Sequence, residues 1–309
     1  MGRSYWQGFT KQLRRDWTLY LLLLVPLVFV IVFRYAAFPG LRMAFMDFRP
    51  MRGFAGSEWV GFGMFQRVFA DADFYRALRN SLVFNFADLI FGFPVPIILA
   101  LLLNELRFKK YKRVTQTILY LPHFLSWPII ASVSLAMFRP LSGMVNIILR
   151  DNLGIIETGI PFLTSPGHWA VTYVTVNIWQ GMGWGSIIFL AAMSGLDPEL
   201  YEAATVDGAN RFRRMWHITL PGIRATMVTL LIINLGRVMG SNFERLVAMG
   251  NVMVREYQYQ LAIYIFEKGL QGGNFSLATA VGLFQSTIGL VLVLITDRIA
   301  KKLGGTGLI

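Results

Sequence analysis

The chain has 309 residues and a formal net charge of +12, yet 55% of it is hydrophobic and only 15% is charged. A mean hydropathy of +0.53 excludes a soluble domain of ordinary composition, and because the basic residues border apolar runs, the charge is no sign of a nucleic-acid surface. The absence of cysteine excludes disulfides and thiolate metal sites.

A hydrocarbon core of about 30 Å takes roughly 20 apolar residues per helical crossing. Six runs reach that length: Leu19–Ala37, Ser81–Leu103, Val114–Phe138, Trp169–Met193, Ile223–Met249 and Phe275–Thr296. They are continuously apolar rather than alternating, so they read as helices and not as barrel strands. The predicted fold class is an all-α integral membrane protein of about six transmembrane helices.

The first run follows Arg3, Lys11, Arg14 and Arg15, and no small-residue cleavage site follows it. It reads as an uncleaved signal anchor with Arg34 snorkelling at the far interface. After the second run come Arg107, Lys109, Lys110, Lys112 and Arg113; Arg211, Arg213 and Arg214 precede the fifth and Arg224 stands at its start; Arg298, Lys301 and Lys302 follow the sixth. All fall on one side of a six-span zigzag, which places both termini in the cytoplasm; the chain is expected to sit, multi-pass, in a bacterial inner membrane. The first outside loop, with Arg42, Arg49, Arg52, Arg67, Arg76 and Arg79, is discordant but long, and long loops weigh less in this rule.

The expected organisation is an N-terminal segment with the first helix and a long periplasmic loop over 1–80, a five-helix core over 81–298, and a cytoplasmic tail over 299–309. The outside segments Pro39–Asn80, Arg139–His168 and Gly250–Asn274 suit a folded cap. Pro94, Pro96, Pro122 and Pro128 predict kinks within the second and third spans, and Gly181 with Gly185 a small-residue packing face on the fourth.

The inside connections differ in length: 104–113 is a tight basic turn, whereas 194–222 is longer than two antiparallel helices need. Its core reads DPELYEAATVDGANRFRRMWHITLPG. Asp197 can cap free amides, Pro198 suits a first helical turn and Glu199 complements the helix dipole. Leu200, Ala203, Ala204 and Val206 give a small apolar face, Gly208 permits a change of direction, and a second helical stretch starts at Asn210. From these residues alone, a plug for a groove on another protein and an amphipathic helix lying on anionic lipid are both open.

Glu202, Ala203, Ala204, then Asp207, Gly208 and Ala209, then Ile218, Leu220 and Pro221 resemble the EAA loop of binding-protein-dependent ABC importer permeases. The stretches WVGFGMFQRVFADADFYRALRNSL, LNELRFKKYKRVTQTILYLPHFLSW and ATAVGLFQSTIGLVLVLITDRIAKKLGG are similar to carbohydrate-uptake permeases of the maltose-permease type, closest to those importing aldouronates or alginate fragments. The resemblance implies that the nine loop residues engage a cytoplasmic ATPase. It also implies a second homologous permease, two ATP-binding cassette subunits that bind ATP and Mg, and an extracytoplasmic solute-binding protein.

No P-loop, no HExxH and no metal-ligand cluster occurs in the sequence, so no cofactor is expected in this chain and ATP hydrolysis is left to partner subunits. His123 reads as a packing residue. In the fifth span Asn234, Arg237, Ser241 and Arg245 recur at helical spacing, with Asn242 and Glu244 alongside. Intramembrane charge is costly, so this stripe should face the bundle interior or a watery path. Asn85, Asp88, Asn177, Gln180 and Gln285 are further path candidates, with Trp179 and Trp184 for stacking on sugar rings. Two arginines favour an acidic oligosaccharide cargo. The alternative is helix locking by ion pairs, with Asp88 as a partner, and the rival function is a stand-alone carrier using Asp88, Arg237 and Glu244 as an ion relay.

Overall fold

The computed structural model describes residues 15–302; the basic residues Arg3, Lys11 and Arg14 and the tail end 303–309 lie outside them. Helix α1, Trp17–Val30, continues through a π-helical turn and a 3-10 helix to Phe45. Its leucine-, valine- and phenylalanine-rich surface is exposed all round, as lipid or another chain would require. A two-residue ribbon, β1 Met46–Asp47 against β2 Glu58–Trp59, is the only strand pairing among the described residues of this otherwise helical fold.

After α2, Gly63–Ala70, the second span comprises α3, Ala72–Gly92, and α4, Pro94–Asn104. Asp71 opens α3 by accepting the Asp73 amide at 2.9 Å. The 33-residue unit is about 50 Å long, so its first turns stand in the cap rather than in the apolar layer. The expected boundary at residue 80 therefore cuts a continuous helix, and the one at 298 cuts α12, Phe275–Lys302.

The third span is not merely kinked. Lys109–Phe124, which contains α5, Lys109–Tyr120, meets α6, Trp127–Phe138, at 107°. Pro122 and Pro128 flank a break where Ser126 is extended, and neither proline can donate to a helix that would bridge it. The fourth span is one helix, α7, Pro166–Ser194.

The fifth run departs furthest from expectation. Helical chain begins at Arg211, bends by 59° near Ile223, and continues as α10, Arg224–Gly236, which stops thirteen residues before the expected end at Met249. Residues 237–242 are turn and extended chain, and Asn242 then caps a separate short helix, α11, Phe243–Met249. Among the described residues three helices are long and apolar enough to cross a membrane, or up to five if each bent pair counts as one span; α7 has the length but is richer in Trp, Tyr and Gly.

Two apolar clusters hold the bundle. At the cap end Ala44, Met64 and Phe74 pack with Trp169, Leu246, Tyr264 and Val281, so cap and spans share one core. Tyr264 donates to Asp71, and Lys268 pairs with Asp73 at 3.0 Å, a bond that raises the lysine's pKa. At the other end Ile97 and Leu101 of α4 meet Phe189 and Met193 of α7.

The close approach predicted for the fourth span falls at Gly183 and Gly185 rather than at Gly181. A Cβ at Gly183 would sit 2.0 Å from the Leu119 carbonyl, whereas one at Gly181 would meet nothing within 4 Å. Gly183→Ala is expected to destabilise the purified chain by about 1–3 kcal/mol in a detergent melting assay, because backbone cannot yield as a side chain does. Gly181→Ala should melt within about 0.5 kcal/mol of the parent.

Candidate functional site

Two sites emerge, one at each level of the molecule. The first is the 194–222 connection. Asp197 accepts the Glu199 amide at 3.0 Å and starts α8, Pro198–Val206. Gly208 reverses the chain with φ of +77°, a left-handed conformation, and Asn210 caps α9, Arg211–Arg214, by accepting the Arg213 amide. The two arms are tied by Arg214 donating to the Thr205 hydroxyl at 2.7 Å and by a Tyr201–Thr219 hydroxyl contact at 2.9 Å. The result is a rigid bracket.

Its residues divide by face. Glu202, Ala203, Asp207 and Gly208 are exposed, Ala204 and Ala209 are half-buried, and Pro221 is exposed where the fifth helical segment begins. Leu220 packs inward on the Ile97–Phe189 cluster and Ile218 is half-buried, so these two anchor the bracket. Phe212 and Trp216 are exposed apolar side chains of the same connection, as Leu200 and Val206 are. The sequence reading passed over Phe212 and Trp216, although their four-residue spacing on a helix was the available signal.

The second site is a cavity of about 490 Å³ between α3, α4, α7 and α10. Five of the expected path residues line it: Asn85, Asp88, Asn177, Asn234 and Arg237, and Trp184 joins them. Trp184 stacks on His123 with ring centres 4.8 Å apart and planes 4° from parallel, which places His123 behind the wall. Arg237 is exposed and lines this space, and among the described residues its guanidinium has no hydrogen-bond or ion-pair partner.

The other six expected path residues lie elsewhere, four of them, Ser241, Asn242, Glu244 and Arg245, because the stripe from Asn234 to Arg245 is not one helix. Once α10 ends at Gly236, the helical period no longer relates these positions. Ser241 donates to Ser81, Asn242 caps α11, and Glu244 is exposed away from the cavity. Gln180 donates to the His123 carbonyl and Gln285 to the Met239 carbonyl. Trp179 does not line the cavity.

Arg245 is buried. Its Nη2 donates to Asp88 Oδ2 at 2.6 Å, and its guanidinium lies 4.0 Å from the Tyr173 ring centre and 5.8 Å from that of Trp127. The helix-locking alternative therefore describes Arg245, with Asp88 as its partner, while the path reading keeps Arg237. Tyr173 lies against the Arg245 guanidinium and Gln260 neighbours Tyr173; nothing in their local sequence singles them out.

Among the described residues no group of His, Asp and Glu is placed to hold a metal ion. The cavity offers amides, one paired carboxylate, one free guanidinium and an aromatic face. Such a surface binds and orients a hydrogen-bonding solute rather than performing covalent chemistry.

Residues 74–305 match the family described as binding-protein-dependent transport system inner membrane component. The chain is 44% identical to Protein LplB of Bacillus subtilis (strain 168) over 296 residues, covering 96% of this chain and 92% of that protein. It is 41% identical over 290 residues to the polygalacturonan/rhamnogalacturonan transport system permease protein YteP of the same organism, covering 94% and 89%. Its backbone matches a chain from the crystal structure of a bacterial alginate ABC transporter in complex with an alginate pentasaccharide-bound periplasmic protein. That match has a TM-score of 0.83 and 37% identity, and covers 96% of this chain and 99% of the other.

Proposed function

The chain belongs to the family of binding-protein-dependent transport system inner membrane components, and from that premise we propose that it forms one half of the path by which a carboxylate-bearing oligosaccharide crosses the membrane. It is the permease of an ABC sugar importer in a bacterial membrane, a transport subunit and not an enzyme, and it works with a periplasmic binding protein. The other half of the path is a second, homologous permease. Two ATP-binding cassette subunits bind ATP and Mg and receive α8 in a groove, with Glu202, Ala203 and Val206 at the contact and Gly208 setting its angle.

The observation that carries the acidic cargo is Arg237. Asp88 neutralises Arg245, so the free positive charge facing the cavity is that of Arg237. A guanidinium in a partly dry site favours a carboxylate, while Asn85, Asn177 and Asn234 suit sugar hydroxyls and Trp184 an apolar ring face. Relatives named for polygalacturonan and alginate transport agree with that chemistry. The ion-relay alternative loses its basis, since Glu244 is outside the cavity and Asp88 is already paired.

Uptake assays on the reconstituted complex test this. Arg237→Ala should lower transport of a uronate oligomer by about tenfold or more, the loss of one charge-assisted hydrogen bond of ~1.5–3 kcal/mol, and should leave a neutral oligomer of equal length within about twofold. Equal rates on the acidic cargo for variant and parent would sink the reading.

A further inference from the structure

The corner of the third span ends against α7. Its 3-10 turn, Leu121–Phe124, carries two adjacent rings, His123 and Phe124, and the chain is extended again by Ser126. The fit to α7 is made by backbone. A Cβ at Gly183 would lie 2.0 Å from the Leu119 carbonyl, so the end of α5 touches α7 where that helix has no side chain. Gln180 of α7 donates to the His123 carbonyl at 3.4 Å. The residue after Gly183 is Trp184, and both rings of the turn close on it.

His123 lies flat against the indole, with ring centres 4.8 Å apart and planes 4° from parallel. Phe124 stands edge-on to both, 5.9 Å from His123 and 5.7 Å from Trp184, so all three contacts fall in the range of favourable aromatic pairs. His123 Nδ1 is buried without a partner, so the imidazole serves as a plate and not through that nitrogen. Rings that only filled a gap between helices would bury one another, yet Trp184 keeps 47% of its surface and lines the cavity. A helical side chain leans over the turn N-terminal to it, which here carries Gly181, and a Cβ at Gly181 would meet nothing within 4 Å. One indole face is covered and open space adjoins the rest. A side chain already held in its bound rotamer loses no conformational freedom when a ligand arrives.

We propose that His123 is a positioning residue: with Phe124 at the edge, it holds Trp184 as a preformed platform on which a sugar ring stacks in the cavity. The inference rests on the permease reading above and assigns the residue that orients its aromatic face. The bend of the third span then serves recognition, since a straight helix would not turn two consecutive rings onto α7.

Uptake by the full complex in liposomes tests it. His123→Phe keeps a flat face, whereas His123→Leu fills the space without one. Transport of a uronate oligomer should stay within about twofold of the parent in His123→Phe and fall about three- to tenfold in His123→Leu, as far as in Trp184→Ala. His123→Leu combined with Trp184→Ala should be no slower than Trp184→Ala alone, because a plate with no indole to hold has no effect. Should His123→Leu melt early in detergent, Phe124→Leu repeats the comparison with only the edge contact removed.

Parental uptake in both leucine variants overturns the inference. So do equal losses in His123→Phe and His123→Leu, or a double variant in which the two losses multiply. Trp184→Ala at the parental rate removes the platform altogether, while the Arg237→Ala measurement tests the acidic cargo independently, so the two failures are distinguishable.

Discussion

Gly208→Val is expected to leave the chain in the membrane but reduce retention of the ATPase subunits by about tenfold, with ATP-driven uptake falling in parallel. The reason is conformational rather than steric. A Cβ at Gly208 would meet nothing within 4 Å, but φ is +77°, where an ordinary L-residue costs about 1–2 kcal/mol and a β-branched one more. Such an energy corresponds to about five- to thirtyfold in an equilibrium. The bracket has no slack to absorb the change, since the Gly208 and Ala209 amides bond back to the carbonyls of Thr205 and Ala204, and Arg214 and Thr219 hold the arms together. A β-region residue at 208 would therefore swing α8 away from the groove proposed for it.

The series separates this cause from surface loss. Gly208→Asn, which tolerates the left-handed region, should retain most of the coupling, Gly208→Ala less, and Gly208→Val least. Gly195→Ala, at a φ of −87°, is the control and should behave as the parent. Pull-down of the ATPase from solubilised membranes reads the outcome. Equal retention across the three substitutions would assign the contact to the exposed side chains alone.

What was legible in the sequence was legible for local reasons. The bracket could be traced from Asp197, Pro198, Gly208 and Asn210 because capping and left-handed turns are properties of a few adjacent residues, and each does what its type predicts. The cavity lining was half legible. Asn234 and Arg237 sit at the end of a real helix and face the cavity, but Gly236 and the cap at Asn242 ended the helical period that carried the inference to Arg245. An apolar run with a continuous 3.6-residue pattern does not reveal a break when the interrupted segment is itself buried and apolar, as Val238, Met239 and Leu246 are. The 107° corner at Leu125 and Ser126 was signalled by two prolines, but its size depends on packing of α6 against α11, which no local pattern encodes.

Arg245→Met should be the most destabilising single change in the membrane core. The guanidinium is enclosed by Tyr173, Trp127 and Asp88, and its removal strands a largely buried carboxylate without its counter-charge. Breaking one side of a buried pair costs about 3–5 kcal/mol, whereas replacing both sides by neutral groups of similar volume is often close to neutral. Arg245→Met alone is therefore expected to lower the melting temperature of the purified complex sharply and to reduce its yield. Asp88→Asn combined with Arg245→Met should recover most of that loss, and the coupling energy from the full double-mutant cycle should exceed about 1.5 kcal/mol. Recovery of stability without recovery of transport would divide the pair's two roles: the neutral double variant keeps the fold but has lost the carboxylate on the cavity wall. Additive losses in the cycle would instead mean that Asp88 and Arg245 contribute to stability independently.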